Sequence, residues 1–183
     1  MFLNEKGRTS VKNDGLMPSA LSGPVLDFLM PKITLLGNGG AIWILAALIL
    51  LCTKKYRRQG VLLLVGLIAG VLVGNACLKN LIARPRPCWL DSSVQLLIAN
   101  PADYSFPSGH TLSSVIGATG LTKTNRRFGY AAIPLAALIA FSRLYLYVHF
   151  PSDALAAAVL GVALGELVWR CGGKLLERWH APR

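Results

Sequence analysis

Long apolar segments dominate this chain and constrain its fold more than any other feature. Four of them, at about residues 33–53, 59–78, 128–148 and 153–169, reach or approach the roughly 20 helical residues that cross about 30 Å of hydrocarbon. A fifth segment, about 109–122, is shorter and apolar after a polar start. With 54% apolar residues and a mean hydropathy of +0.52, the sequence predicts an all-α, polytopic membrane helix bundle of about five transmembrane helices.

The two ends of the chain differ from this apolar body. Residues 1–32 begin polar, without the pattern of a secretory signal peptide, and lead into a segment at 16–32 that prolines, a glycine and Asp27 interrupt. We expect that segment to form an interfacial amphipathic helix, with a sixth span as the alternative. Residues 172–183 predict a basic cytoplasmic tail that also lies at the interface. The transmembrane domain is then expected at 33–171.

The net charge of +11 is divided among short clusters between the apolar segments. A nucleic-acid-binding protein would gather its cations on one soluble face, so this distribution argues against such a partner. The clusters are Lys54, Lys55, Arg57 and Arg58; Lys123, Arg126 and Arg127; and Arg170, Lys174 and Arg178. With five alternating spans all three fall on one side of the membrane, which the positive-inside rule makes cytoplasmic.

Three polar blocks lie in or beside the loops that should face the opposite, extracytoplasmic side. They are Lys79-x6-Arg86-Pro87, Pro107-Ser108-Gly109-His110, and Ser142-Arg143-x5-His149-x3-Asp153. Each alone has a structural explanation: snorkelling cations at a helix end, an ordinary capped helix, or a His–Asp pair at a helix start. Together they supply the cations, imidazoles, carboxylate and Ser-Gly turn that a site needs to hold and transfer a phosphoryl group without a metal.

The second block stands where an irregular loop becomes an apolar helix. Ser108 is the predicted N-cap, and the free backbone N–H groups of Gly109 and His110 together with the helix dipole predict an anion site. Because Gly109 has no side chain, a phosphate oxygen could approach the backbone closely there.

The first and third blocks add the charges and the candidate nucleophile. Lys79 and Arg86 are seven residues apart, so both could point into one pocket. Pro151 suits the first turn of the last span, from which Asp153 could reach back to the ring of His149. A carboxylate bonded to one ring nitrogen leaves the other as an attacking lone pair, which makes His149 the candidate nucleophile. The sequence contains no acidic cluster suited to Mg²⁺ or Mn²⁺, so we expect no metal and no other cofactor.

The three blocks, in this order, resemble the signature of the type 2 phosphatidic acid phosphatases, the membrane branch of a superfamily shared with vanadium haloperoxidases and bacterial acid phosphatases. The resemblance covers about residues 79–153, and every signature position is present. It implies that His149 becomes a phosphohistidine and that His110 protonates the leaving group and later activates water. It also implies the phosphate-binding residues, which are Lys79, Arg86, Ser108, Gly109 and Arg143.

Three positions stand outside the signature or depart from the surrounding pattern. Arg84 is not a signature residue, and we expect it to contact lipid headgroups. A small residue often stands two places before the nucleophile, where this chain has Tyr147, and a glycine often follows the aspartate, where it has Ala157. These departures concern helix packing and substrate size and leave the predicted chemistry unchanged.

The function predicted is that of a metal-independent phosphatase in the cell membrane, with its site at the extracytoplasmic boundary. Its partners are membrane lipids and a lipid phosphate substrate: undecaprenyl pyrophosphate, phosphatidylglycerol phosphate or phosphatidic acid, in decreasing order of preference. The oligomeric state does not follow from the sequence. One alternative is a phosphotransferase that passes the phosphoryl group to another acceptor. A second is a non-enzymatic transporter of lipid phosphates or anions, with intramembrane cations along its path.

Overall fold

The structure, a computed structural model, describes residues 23–179, with side chains up to residue 174. All regular secondary structure in that range is helical, which confirms the predicted all-α membrane bundle. The helices are α1 Pro24–Leu36, α2 Ala41–Cys52, α3 Arg57–Gly70, α4 Lys79–Ile82, α5 Pro87–Leu90, α6 Gly109–Thr124, α7 Arg126–Tyr145 and α8 Pro151–Trp179. A π-helical segment, Val71–Leu78, joins α3 to α4 without a break.

Three helical segments, Lys54–Leu90, Arg126–Tyr145 and Pro151–Lys174, are long and apolar enough to cross a membrane. The pair α1 and α2 makes a fourth if it is counted as one span bent by 44°. The predicted fifth span is α6, which has 16 residues and so falls short of the length that crosses a bilayer. It lies in the middle of the bundle, in contact with α2, α3, α7 and α8.

The bend between α1 and α2 follows from two glycines. Gly39 and Gly40 have φ angles of +58° and +73°, a left-handed conformation that costs glycine little. Residues 24–32, which we expected to lie at the interface, form most of α1 and pack against α7, where the Tyr145 hydroxyl donates to Asp27 Oδ1 over 2.6 Å. Residues 16–22 of the expected interfacial segment lie outside the described residues.

The core of the bundle is formed where α6 meets its neighbours. Its buried side chains are Trp43, Leu63, Leu112, Ile116, Ile139 and Ala157. At the closest approach a Cβ on Gly117 would lie 2.4 Å from the Trp43 ring, so the residue is glycine and the helices pack backbone to ring. The outward faces are apolar and exposed, as at Ile49, Val65 and Val159, which suits a surface covered by lipid.

The bundle has two chemically different ends. At one end the turn before α3 meets the turn before α7, with the rings of Tyr56 and Phe128 5.6 Å apart. Lys123 and Arg170 both pair with Glu166 there, at 2.7 and 3.3 Å. The three cation clusters therefore share this end, and the polar blocks lie at the other. Helix α8 continues without a break to Trp179, so residues 172–179 of the expected tail are helical and continuous with the last span.

Candidate active site

A cavity of about 840 Å³ opens at the polar end of the bundle. Six of the eight predicted site residues line it, which are Lys79, Arg86, Gly109, His110, Arg143 and His149. Apolar side chains from α2, α3 and the π-helical segment line its other walls, among them Ile44, Leu64, Ile68 and Val71. The other two predicted residues, Ser108 and Asp153, are fully buried behind this lining.

Lys79 and Arg86 are brought together near the end of the long helical segment Lys54–Leu90. Lys79 begins α4 directly after the π-helical segment, and Pro87 ends the extended link that carries Arg86. Both cations are buried, and both bind Asp103, with Lys79 Nζ 2.5 Å and Arg86 Nη2 2.6 Å from its carboxylate oxygens. The sequence did not predict that Asp103 binds both of these cations.

The second block forms the helix start that was predicted. Ser108 is the N-cap of α6, and its hydroxyl accepts from the backbone N–H of Thr111 at 3.4 Å. A direct role of this hydroxyl in phosphate binding stays a prediction, because its oxygen is already engaged by Thr111 and the residue does not line the cavity. Gly109 does line it, next to Asn75: a Cβ on Gly109 would lie 3.0 Å from Asn75 Oδ1.

His110 extends from the first turn of α6 toward the break between α1 and α2. Its Nε2 lies 2.8 Å from Asn38 Oδ1, so the amide holds the ring through one nitrogen. Gly37 makes room for the ring, since a Cβ there would lie 2.7 Å from His110 Cδ2. The sequence did not predict that Asn38 contacts His110, because the bend after α1 is what brings the two residues together.

His149 is buried, and each nitrogen of its ring has a different neighbour. Arg86 Nη1 lies 3.1 Å from Nε2 and can only donate, so Nε2 carries a lone pair and the proton is on Nδ1. Nδ1 faces Ser105 Oγ at 3.4 Å, whereas the nearest oxygen of Asp153 is 3.7 Å away. Asp153 does reach back toward the His149 ring as predicted, but at 3.7 Å its Oδ2 is farther from Nδ1 than a hydrogen bond allows, and the Ser105 hydroxyl beside them contacts both groups.

Asp153 is held on both sides of its carboxylate. Oδ1 accepts from Arg84 Nη1 at 2.7 Å. Oδ2 accepts from the backbone N–H of Phe150 at 2.9 Å and also from the Ser105 hydroxyl. Arg84 additionally contacts Ser152 Oγ at 2.8 Å and stacks on the Phe150 ring. Its side chain is still 35% exposed, so the expected contact with lipid headgroups stays a prediction.

Arg143 completes the set of cations from α7. Its Nη1 donates to Thr34 Oγ1 of α1 at 2.7 Å, and its Nε is buried with no hydrogen-bond partner in the part of the chain that the structure describes. A buried N–H without an acceptor is costly unless a ligand accepts from it. Arg143 thus offers a donor to an anion in the cavity.

Burial and the neighbouring charges set the protonation state of His149. Burial lowers the pKa of His149 to about 4; the Asp153 carboxylate opposes this shift, and Arg86 and Arg143 add to it. Burial by itself would raise the pKa of Asp103, but Lys79 and Arg86 outweigh it and bring that pKa to about 2. At neutral pH His149 is therefore a neutral ring and Asp103 an anion.

Tyr147 and Ala157 show what the two departures from the surrounding pattern mean structurally. Tyr147 has a φ of +57°, a left-handed conformation in which any residue with a Cβ is strained, so of the small residues only glycine would relieve the strain here. Ala157 is fully buried in the core against α6, where its methyl group fills space that a glycine would leave empty. Neither residue lines the cavity.

The arrangement defines a class of protein, a membrane-embedded helical bundle with a cavity lined by cations and imidazoles at one end. The chain belongs to the PAP2 superfamily, whose family model matches residues 59–177. This membership confirms the resemblance derived from the three polar blocks. It also confirms the predicted enzyme class, since the relatives described next are named as phosphatases.

Several curated proteins are similar to this chain. An undecaprenyl-diphosphatase of Sulfolobus acidocaldarius is 34% identical over 121 residues, which cover 66% of this chain and 58% of that protein. The undecaprenyl-diphosphatase BcrC of Bacillus subtilis is 30% identical over 146 residues, covering 80% and 75%. Phosphatidylglycerophosphatase B of Bacillus subtilis is 31% identical over 157 residues, covering 79% and 74%. The chain thus spans little more than half of the archaeal relative and about three quarters of the two bacterial ones.

Two solved structures share the fold. Aquifex aeolicus LpxE has a TM-score of 0.72 at 27% identity, with 82% of this chain and 89% of that chain covered. The transmembrane PAP2-type phosphatidylglycerolphosphate phosphatase of Bacillus subtilis has a TM-score of 0.68 at 28% identity, with 85% and 80% covered. Both likenesses extend over most of the chain, so the helical bundle as a whole matches.

Proposed function

We propose that this chain hydrolyses a lipid phosphate monoester or diphosphate through a phosphohistidine on His149. The observation that carries the proposal is the orientation of the His149 ring, with its Nε2 lone pair beside Arg86 and its Nδ1 proton beside Ser105. A nucleophile must present a lone pair where the developing charge is stabilised. The cations Arg86, Lys79 and Arg143, which line the same cavity, supply that stabilisation.

The reaction then has two steps. In the first, the Nε2 lone pair forms a bond to phosphorus, the bond from phosphorus to the leaving oxygen breaks, and His110, which enters the step as the imidazolium, gives one proton to that oxygen and becomes neutral. In the second, water attacks phosphorus while His110 takes a proton from it, and the phosphorus–nitrogen bond breaks with its electron pair returning to Nε2. Inorganic phosphate leaves, and both rings are restored.

The cavity walls support a lipid as the substrate. Cations and imidazoles line one part of the cavity, and Ile44, Leu64 and Ile68 line another. A phosphorylated headgroup fits the first part, and a hydrocarbon or isoprenoid chain fits the second. The relatives named as undecaprenyl-diphosphatases favour undecaprenyl pyrophosphate first, followed by phosphatidylglycerol phosphate and phosphatidic acid.

We infer that the site faces the extracytoplasmic side of the cell membrane. The cation clusters lie at the end opposite to the cavity, and such clusters mark the cytoplasmic side. A cysteine at Ser93 should react with an impermeant maleimide on intact cells after the native cysteines are removed, whereas one at Thr124 should react only after lysis. The reverse pattern would contradict this orientation.

The experiment that tests the activity is phosphate release from a panel of lipid phosphates by the purified protein in detergent. We expect turnover by the wild type and none by His149→Ala, and an acid-labile ³²P label on the wild-type protein alone. Adding an acceptor lipid separates hydrolysis from phosphotransfer, because a transferase would move the label to that lipid. Transport of a lipid phosphate that survives His149→Ala, without phosphate release, would favour the transporter instead.

A further inference from the structure

Asp103 accepts hydrogen bonds from both cations in the first block. Its Oδ2 lies 2.5 Å from Lys79 Nζ and its Oδ1 lies 2.6 Å from Arg86 Nη2. Its backbone carbonyl also accepts from Arg86 Nε, at 2.6 Å. A carboxylate that takes donors from two cations at once fills the position that two phosphoryl oxygens would take.

Few of the N–H donors of Arg86 remain free to bind a substrate. A guanidinium has five N–H groups. Arg86 directs Nη1 to the Val148 carbonyl and to His149 Nε2, and it directs Nε and one N–H of Nη2 to Asp103. One N–H of Nη2 is left, so a phosphoryl group gains a bidentate contact with Arg86 only if Asp103 moves away.

Asp103 is placed so that it could leave. Its side chain is 56% exposed, whereas the side chains of Lys79 and Arg86 are 7% and 2% exposed. It belongs to the segment between α5 and α6, which has no helix or strand, and it lies on the cavity wall. Both cations are held by burial, whereas the exposed carboxylate of Asp103 can move away from them into solvent.

We propose that Asp103 is an internal competitor for the phosphate site, whose carboxylate must be displaced before a substrate phosphoryl group binds Lys79 and Arg86. The proposal rests on the proposed function. Displacement reduces the apparent affinity of every anionic ligand by the same factor, as for any site whose competent state is only partly populated. Weak ligands then fall below the concentration at which they fill the site.

This competition raises the affinity that a headgroup must have before it occupies the cavity. A phosphodiester headgroup carries one negative charge, the same as the carboxylate that it must replace, and it gains little by the exchange. A phosphate monoester carries about 1.5 to 2 negative charges at neutral pH, and a diphosphate carries more, so each gains more from the cations than the carboxylate does. Asp103 therefore keeps the abundant phosphodiester lipids of the membrane out of the site.

The test compares Asp103→Asn with a matched control, Asp91→Asn. Asp91 is a carboxylate of the same loop, and it accepts hydrogen bonds from the backbone N–H and the hydroxyl of Ser93. Its removal therefore changes the loop charge without freeing the cations. Binding of inorganic phosphate to the purified proteins in detergent is measured by calorimetry. We expect Asp103→Asn to bind phosphate about tenfold more tightly than the wild type and Asp91→Asn to match the wild type. Phosphatidylglycerol in mixed micelles should compete with phosphate in Asp103→Asn and not in the wild type.

Other results would overturn the proposal. Weaker phosphate binding by Asp103→Asn would mean that the carboxylate orients Lys79 and Arg86 for the ligand. Unchanged binding, equal tightening in Asp91→Asn, or no phosphate binding by any of the three proteins would also contradict it. If Asp103→Asn does not yield folded protein, Asp103→Ser gives the same comparison. Phosphate binding without hydrolysis of any lipid phosphate would refute the proposed function and still leave the competition measurable.

Discussion

The Ser105 hydroxyl offers the sharpest test of the proposed nucleophile, because it touches no predicted substrate position. It lies 3.4 Å from His149 Nδ1 and donates to Asp153 Oδ2, while the imidazole and the carboxylate are themselves 3.7 Å apart. Ser105→Ala removes this link. It leaves Arg84 and the Phe150 N–H on the carboxylate, so Asp153 stays charged and held.

The expected size of the effect follows from these contacts. A hydrogen bond to a charged group contributes about 1.5 to 3 kcal/mol. If that energy serves to hold the His149 tautomer and ring, its loss lowers kcat by about tenfold to a hundredfold, since 1.36 kcal/mol of barrier is a factor of ten. Binding of inorganic phosphate should not change, because Lys79, Arg86 and Arg143 are untouched.

The assay measures kcat, KM and inhibition by phosphate for Ser105→Ala and for Ser114→Ala. Ser114 is an equally buried hydroxyl that accepts from Trp43 Nε1 at 3.0 Å, away from the cavity. Its loss should reduce thermal stability in detergent and leave kcat near the wild-type value. A kcat for Ser105→Ala within about twofold of wild type would refute the reasoning, because Asp153 would then serve His149 without the hydroxyl.

Three further predictions concern the same site. His149→Ala should lose more than about a hundredfold in kcat, or about 2.7 kcal/mol; a smaller loss in the phosphate-release assay would exclude it as the nucleophile. The pKa of His149, about 4, predicts that kcat/KM falls on the acidic side near that pH, because protonation removes the Nε2 lone pair. The pH profile is corrected separately for ionisation of the substrate. A fall in kcat/KM near pH 6.5 would contradict the effect of burial on this pKa. Orthovanadate should inhibit and EDTA should not, because Lys79, Arg86 and Arg143 supply the charge that a metal would; complete loss in EDTA that Mg²⁺ restores would contradict this.

The sequence was sufficient to predict what depends on periodic or local patterns. Apolar segments of helical length predicted the bundle, and the cap chemistry of Ser108 and Gly109 predicted the start of α6 within the block itself. The convergence of the three blocks followed from their placement beside loops at one end of the bundle. These features depend on nearest neighbours along the chain and on the length of the spans, which a sequence shows directly.

The side chains that surround the predicted residues were not predictable in the same way. Arg84 looked like a headgroup contact because nothing local joins it to Asp153, 69 positions later. Ser105 and Asp103 lie in a segment without helix or strand, so no periodicity indicates where their side chains point. Asn38 depends on the bend at Gly39 and Gly40. Each of these contacts is a tertiary consequence of how the helices pack.

The charges of the site fit a ligand with several negative charges. Of the four cations Lys79, Arg84, Arg86 and Arg143, three are paired with two carboxylates, Asp103 and Asp153. Asp153 is bound to Arg84 and fully buried, so that pair stays together whatever the ligand does. The other carboxylate, Asp103, is the exposed one and neutralises part of the charge of Lys79 and Arg86 in the absence of a ligand. Once Asp103 is displaced, three cations lie around one cavity. A phosphate monoester or a diphosphate can neutralise their positive charge, whereas a group with a single negative charge cannot.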